Sequence, residues 1–293
     1  TVHAHSTDAS FEASESKGMR LVAGKVLIDS NCPKELRVDP ESAYADSKEL
    51  IEKWHGRGRL GYAITPRFAL TSSAEQLTAA GRLAAEYPDV WIHTHLAENM
   101  EEVAAIAERF PQSRSYLDVY DGFGLLREKA VFAHCLHMDH EDRSCMARKG
   151  GAAAFCPTSN LFLGSGLFDL PAMRAAGVNS GLGTDVGGGT SLSLLRTASE
   201  AYKVLHMQEH ALPAMQALYL ATLGAAEALR LDDRIGNFAT GKEADFVVLD
   251  YAGSSLAERR CAAAESIEEK LFALMTLADD RHVAATHLMG RLV

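Results

Sequence analysis

The sequence predicts an α/β chain of parallel βα units, of the (β/α)8 barrel type, on three observations. Short apolar runs alternate with stretches of helical period, polar residues able to do chemistry recur where those runs end, and a glycine turn before a valine-rich strand marks a small β element near the C-terminus. In a parallel barrel the C-terminal strand ends share one face, so side chains placed there converge.

The strands are expected at residues 21–28, 60–65, 90–96, 130–136, 151–155 and 179–183. Helical patterns fall between them at 40–56, 74–87, 100–110, 140–149 and 167–176, and after the last strand at 191–207 and 213–231. A closed barrel has about eight strands in roughly 250 residues, so about six βα units are legible and two are expected to be missing from the front. On this reading residues 1–234 form an N-terminally truncated barrel with strands 3 to 8, and 235–293 a C-terminal segment with a β element and closing helix. The pattern changes at Ile235-Gly236-Asn237, and Phe246-Val247-Val248-Leu249 reads as a strand.

Composition sets limits on function. With 293 residues, 47% hydrophobic and 23% charged, the chain can bury a large core. A formal net charge of −10 with no basic stripe argues against nucleic acid as partner. Five cysteines, an odd number with no CxxC spacing, read as reduced thiols of a cytoplasmic protein. No apolar run approaches the length of a membrane span, and the first residues have no signal-peptide pattern, so no membrane association is expected.

Thr65-Pro66-Arg67-Phe68, His93-Thr94-His95-Leu96-Ala97-Glu98, Ala133-His134-Cys135, Phe155-Cys156-Pro157-Thr158-Ser159-Asn160-Leu161 and Gly183-Thr184-Asp185 stand in an order and spacing that resembles the guanine deaminases of the zinc-dependent amidohydrolase superfamily. Gly241-Lys242-Glu243-Ala244-Asp245-Phe246 resembles the start of the family's C-terminal β element. The resemblance implies one zinc per site, with His95 and Asp185 as protein ligands, and a water molecule attacking C2 of guanine to give xanthine and ammonia, a step of purine catabolism. It implies that Glu98 carries the water proton to the ring, that His134 orients the attacking oxygen, that Asp185 passes a proton to departing ammonia, and that Arg67 and Phe68 hold the purine. These types suit the work: carboxylates shuttle protons, arginine donates to a carbonyl, and a phenyl ring offers a flat apolar face.

The departure from the family lies at the front, where members carry an His-x-His ligand pair on a first barrel strand. His3-Ala4-His5 has the spacing of such a pair, but no apolar strand precedes it and it is expected not to ligate. Two ligands alone hold zinc weakly, because catalytic sites use about three protein ligands, so weak or absent guanine hydrolysis is expected of this chain. Open sheet edges at 21–28 and 179–183 are expected to recruit a second copy, giving a homo-oligomer.

Other residues carry blander expectations. His93 is read as a barrel-interior side chain below the metal plane; His55, His137, His140, His206, His210, His282 and His287 as solvent-exposed; Cys156 as a packed thiol; Lys25 as structural; and Gly187-Gly188-Gly189-Thr190 as a flexible lead-in to the last barrel helix. Iron would accept the same donors as zinc. The alternatives are a deaminase or chlorohydrolase acting on another ring (cytosine, an adenosine derivative or a triazine) and a catalytically dead scaffold.

Overall fold

A computed structural model describes residues 6–293, so His3 and His5 lie outside the described residues. The chain divides after Ala152 into two compact units. The first runs α1 (Thr7–Ser16), β1 (Leu21–Ala23), β2 (Val26–Leu27), α2 (Pro40–Trp54), β3 (Leu60–Pro66), α3 (Ala74–Glu86), β4 (Trp91–Leu96), α4 (Met100–Arg109), α5 (Tyr116–Gly122), β5 (Ala130–His134) and α6 (His140–Lys149). All its strand pairs are parallel: β1 and β2 both lie against β3, β3 against β4, and β4 against β5. The β4–β5 register sets His95 opposite Ala133 and Leu96 opposite His134. The C-terminal ends of β3, β4 and β5 are thereby brought side by side.

The expected strand at 21–28 is split in two. At Gly24 a Cβ would stand 1.7 Å from the Ala63 carbonyl oxygen, so only glycine lets the chain pass β3 this closely. The helices start where the sequence supplies an acceptor: Asp39, Ser73, Asn99, Ser115 and Asp139 each take a first-turn amide hydrogen. The unexpected α1 has little amphipathic period and is held by Phe11, which is fully buried and stacks on Trp54 at 5.4 Å between centroids.

The second unit runs β6 (Ala152–Phe155), α7 (Pro157–Leu163), α8 (Leu170–Ala176), β7 (Asn179–Leu182), α9 (Leu194–Met207), α10 (Ala214–Ala221), α11 (Leu223–Ala228), β8 (Phe246–Leu249), α12 (Ser255–Ala262), α13 (Ile267–Leu277), β9 (Val283–Leu288) and β10 (Arg291–Leu292). β6 neighbours β7, and β8, β9 and β10 make an antiparallel sheet. Its core includes the fully buried pair Phe155 and Phe168, stacked with centroids 4.5 Å apart. The helix expected at 213–231 breaks at Thr222, whose φ of −129° and ψ of −98° end α10 and start α11. No described helix is long and apolar enough to cross a membrane.

Candidate active site

β3 is buried along its whole length and delivers an exposed Arg67 and a half-buried Phe68 at its end. The Arg67 guanidinium carbon sits 4.5 Å from the centre of the Phe68 ring. The Phe68 ring in turn lies 5.7 Å from the His95 ring. Side chains expected to hold a purine therefore border the one expected to hold metal.

On β4 the alternation of the strand turns Thr94 inward and leaves His95 partly exposed. The Arg67 carbonyl accepts from the His95 backbone N–H at 3.2 Å and stands 2.6 Å from the ring Nδ1. A carbonyl can only accept, so Nδ1 carries the proton and Nε2 keeps its lone pair for a metal. Two residues beyond the strand, the Glu98 side chain approaches His134, with Oε2 3.6 Å from Nε2. The Glu98 backbone N–H donates at 3.1 Å to Oε2 of Glu102, a carboxylate whose pKa is raised by burial. His93 is held down to about 3, chiefly by desolvation, and so stays neutral.

β5 ends in His134, which is fully buried and stacks on the His95 ring at 5.4 Å. Ala97, His134 and Cys135 take positive φ values of 48°, 74° and 53°. Side chains rarely adopt this left-handed conformation, and such strain persists where the surroundings dictate it. Here the Cys135 N–H reaches the Leu96 carbonyl at 2.8 Å, and the Leu136 and His137 N–H groups share the Ala97 carbonyl at 3.1 and 3.2 Å.

In the second unit, Asp185 also has a positive φ, 48°, just past β7. The Gly183 N–H donates to the Phe155 carbonyl at 2.8 Å, and Gly189 returns to donate to the Asp185 carbonyl at 2.5 Å. A Cβ on Gly189 would lie 1.8 Å from the Thr184 carbonyl oxygen, and one on Gly188 would meet the Ser159 hydroxyl at 2.7 Å. Gly188 and Gly189 thus serve close packing around Asp185, where the sequence reading expected only a flexible lead-in, whereas a Cβ at Gly187 would meet nothing within 4 Å.

The remaining expectations divide. Lys25 is buried and paired with Asp46, a structural role. Cys156 is a buried thiol preceding α7. His140, His206 and His210 are exposed, as expected, whereas His55, His137 and His287 are half-buried. His282 is fully buried, against expectation, because its Nδ1 accepts from the Asp279 N–H at 3.2 Å. Sequence reasoning missed Tyr120, which is fully buried behind the strand ends and whose hydroxyl stands among backbone groups of β4 and the turn after β3. Its α5 could have been found from the Ser115 cap, but nothing in the sequence pattern shows where the phenol points.

The Amidohydrolase family profile matches residues 1–293. The chain belongs to the amidohydrolase family. It is 52% identical to the guanine deaminase of Escherichia coli (strain K12), over 100% of this chain and 67% of that protein. The solved structure of E. coli guanine deaminase matches with a TM-score of 0.98 over 100% of this chain and 68% of that one. A guanine deaminase from C. acetobutylicum, solved with guanine in its active site, is 28% identical with a TM-score of 0.90, covering 100% of this chain and 70% of that one. An adenosine deaminase from Xanthomonas campestris with bound zinc is 25% identical with a TM-score of 0.84, covering 97% and 63%. This amidohydrolase therefore has the α/β fold of the TIM-type members, and the chain spans about two thirds of the length of the relatives it matches.

Proposed function

We propose that this amidohydrolase deaminates guanine at C2, consuming water and releasing xanthine and ammonia. The observation that carries the reading is the grouping at the ends of β3, β4 and β5: Arg67 and Phe68 beside His95, and Glu98 against a buried His134. Relatives named guanine deaminase support the choice of ring.

Zinc fits the donor chemistry. His95 commits Nδ1 to the Arg67 carbonyl and so keeps Nε2 as a donor, and Asp185 offers a carboxylate from a strained strand end; these two are the proposed ligands within this chain. When bound, zinc supplies Lewis acidity that lowers the pKa of water toward about 7. Glu98 takes a proton from the attacking water and delivers it to a ring nitrogen, while the new C2–O bond forms. His134, fixed by burial, orients the attacking oxygen and the reacting carbon. Asp185 passes the second water proton to the exocyclic nitrogen, so that the C2–N bond breaks with ammonia as the leaving group. Arg67 donates to the ring carbonyl, and Phe68 lies against the face of the base.

The test pairs xanthine formation from guanine with elemental analysis of the purified chain. With two protein ligands, zinc below one per chain as purified and weak turnover of guanine that rises with added zinc are expected, with a further loss of about 100- to 10,000-fold on Glu98→Gln. Preferred turnover of cytosine, an adenosine derivative or a triazine, or no turnover of guanine even with zinc in saturating excess, overturns the reading. A cytoplasmic role in purine catabolism belongs to the same proposal, as does association with a second copy, which the exposed Leu192, Leu218 and Val247 of the second unit support and sedimentation would measure.

A further inference from the structure

The polar network behind the strand ends carries an inference about how the site is held, and it rests on the guanine reading. Tyr120 sits in α5, fully buried. Its hydroxyl donates to the His95 carbonyl at 2.8 Å and accepts from the Ala69 N–H at 2.9 Å. The Thr94 hydroxyl stands 3.1 Å from the same phenol oxygen and 3.3 Å from the Arg67 carbonyl. One oxygen atom thus joins the 67–69 turn, which bears Arg67 and Phe68, to the β4 end, which bears His95.

The ring is itself fixed. It stacks on Tyr116 at 5.5 Å and tilts against Phe132 at 5.6 Å. Burial pushes the phenol well above its ordinary pKa, so it remains a donor across the neutral range. Both backbone groups it serves lie in segments that carry proposed site residues, and side chains that act on substrate need such support to hold their geometry.

We propose that Tyr120 is a positioning residue for purine binding: its hydroxyl fixes the Arg67–Phe68 turn against the His95 strand end before substrate arrives. Tyr120 acts through Ala69 and His95, so its loss falls on substrate affinity more than on the chemical step.

The experiment is Tyr120→Phe in the full 293-residue chain, loaded with zinc, with guanine kinetics and amide hydrogen exchange on the same preparation. The expected result is a KM raised about tenfold with kcat changed less than about threefold, and exchange accelerated at 67–71 and 95–98 but not in α3. An unchanged KM overturns the proposal, and so does loosening spread evenly through the first unit, which a merely structural tyrosine would give. If the unsubstituted chain shows no guanine turnover, the guanine reading fails instead; localised exchange in Tyr120→Phe then still supports the pin, and its absence overturns it. Thr94→Val removes the neighbouring hydroxyl and is expected to move both readouts the same way by less, which keeps the test decisive where Tyr120→Phe is not recovered folded.

Discussion

Replacing Gly189 by alanine tests whether backbone packing around Asp185 sets the site. The new Cβ would be built 1.8 Å from the Thr184 carbonyl oxygen, whereas a carbon meets a carbonyl oxygen comfortably at about 3.3 Å. One backbone or the other must give by about 1.5 Å. The Gly189 N–H is also bonded to the Asp185 carbonyl at 2.5 Å, so the displacement is passed directly to the proposed ligand. Misplacing a catalytic group by about 1 Å costs about 100-fold, and that is the expected loss of kcat/KM for guanine. Zinc affinity, read by competition with a chelator, is expected to fall with it. Overpacking costs about 1–3 kcal/mol, a melting shift of several degrees, so the protein remains folded for the assay. Gly187→Ala is the control, because a Cβ there meets nothing within 4 Å. Wild-type zinc affinity and turnover in Gly189→Ala would refute the reasoning.

Glu98→Gln is expected to leave the melting temperature within about a degree while activity falls by about 100-fold or more; a fall in both together would make Glu98 a structural residue. Glu102 has its pKa raised by burial, so the folded state holds its proton more tightly than the unfolded one and stability declines as pH rises from about 4.5 through the raised value. Glu102→Gln keeps an acceptor for the Glu98 N–H and is expected to flatten that decline in denaturant titrations at several pH values; an unaltered slope would count against it. Phe155→Ala empties a fully buried position stacked on Phe168 and is expected to cost about 3–5 kcal/mol, read from chemical unfolding, with less than about 1 kcal/mol indicating that the core collapses into the space.

The strand ends that carry the proposed site were legible: apolar runs before Pro66, His95, His134 and Asp185 show where the chain turns, and the roles proposed for the residues there come from the family resemblance. What the sequence hid depends on backbone contacts made at a distance. Gly24 breaks a strand because of Ala63, and Tyr120 matters because its partners, Ala69 and His95, come from other elements. α7 lies outside the helices expected from the sequence, although Pro157 at its first position and Gly164 just past its end, with φ of 70°, are helix signals. Its burial inverts the usual pattern: Thr158, Ser159 and Asn160 are buried while Leu161, Phe162 and Leu163 are exposed, so no apolar inward face gives a period. His282 shows the opposite error: a polar residue near the C-terminus was read as exposed, yet its ring is used to satisfy a backbone amide.

The left-handed backbone at Ala97, His134, Cys135 and Asp185 has a bearing on how this protein would respond to directed evolution for heat resistance. Conformational strain of about 1–3 kcal/mol at each such residue is a reservoir that a glycine at Ala97 or Cys135 would partly release. Selection for thermal survival alone would therefore be drawn to the strand ends, and the variants it enriches there would trade turnover for durability. A library aimed at a tougher enzyme should hold these positions constant and place its diversity elsewhere, for instance on the exposed faces of the helices.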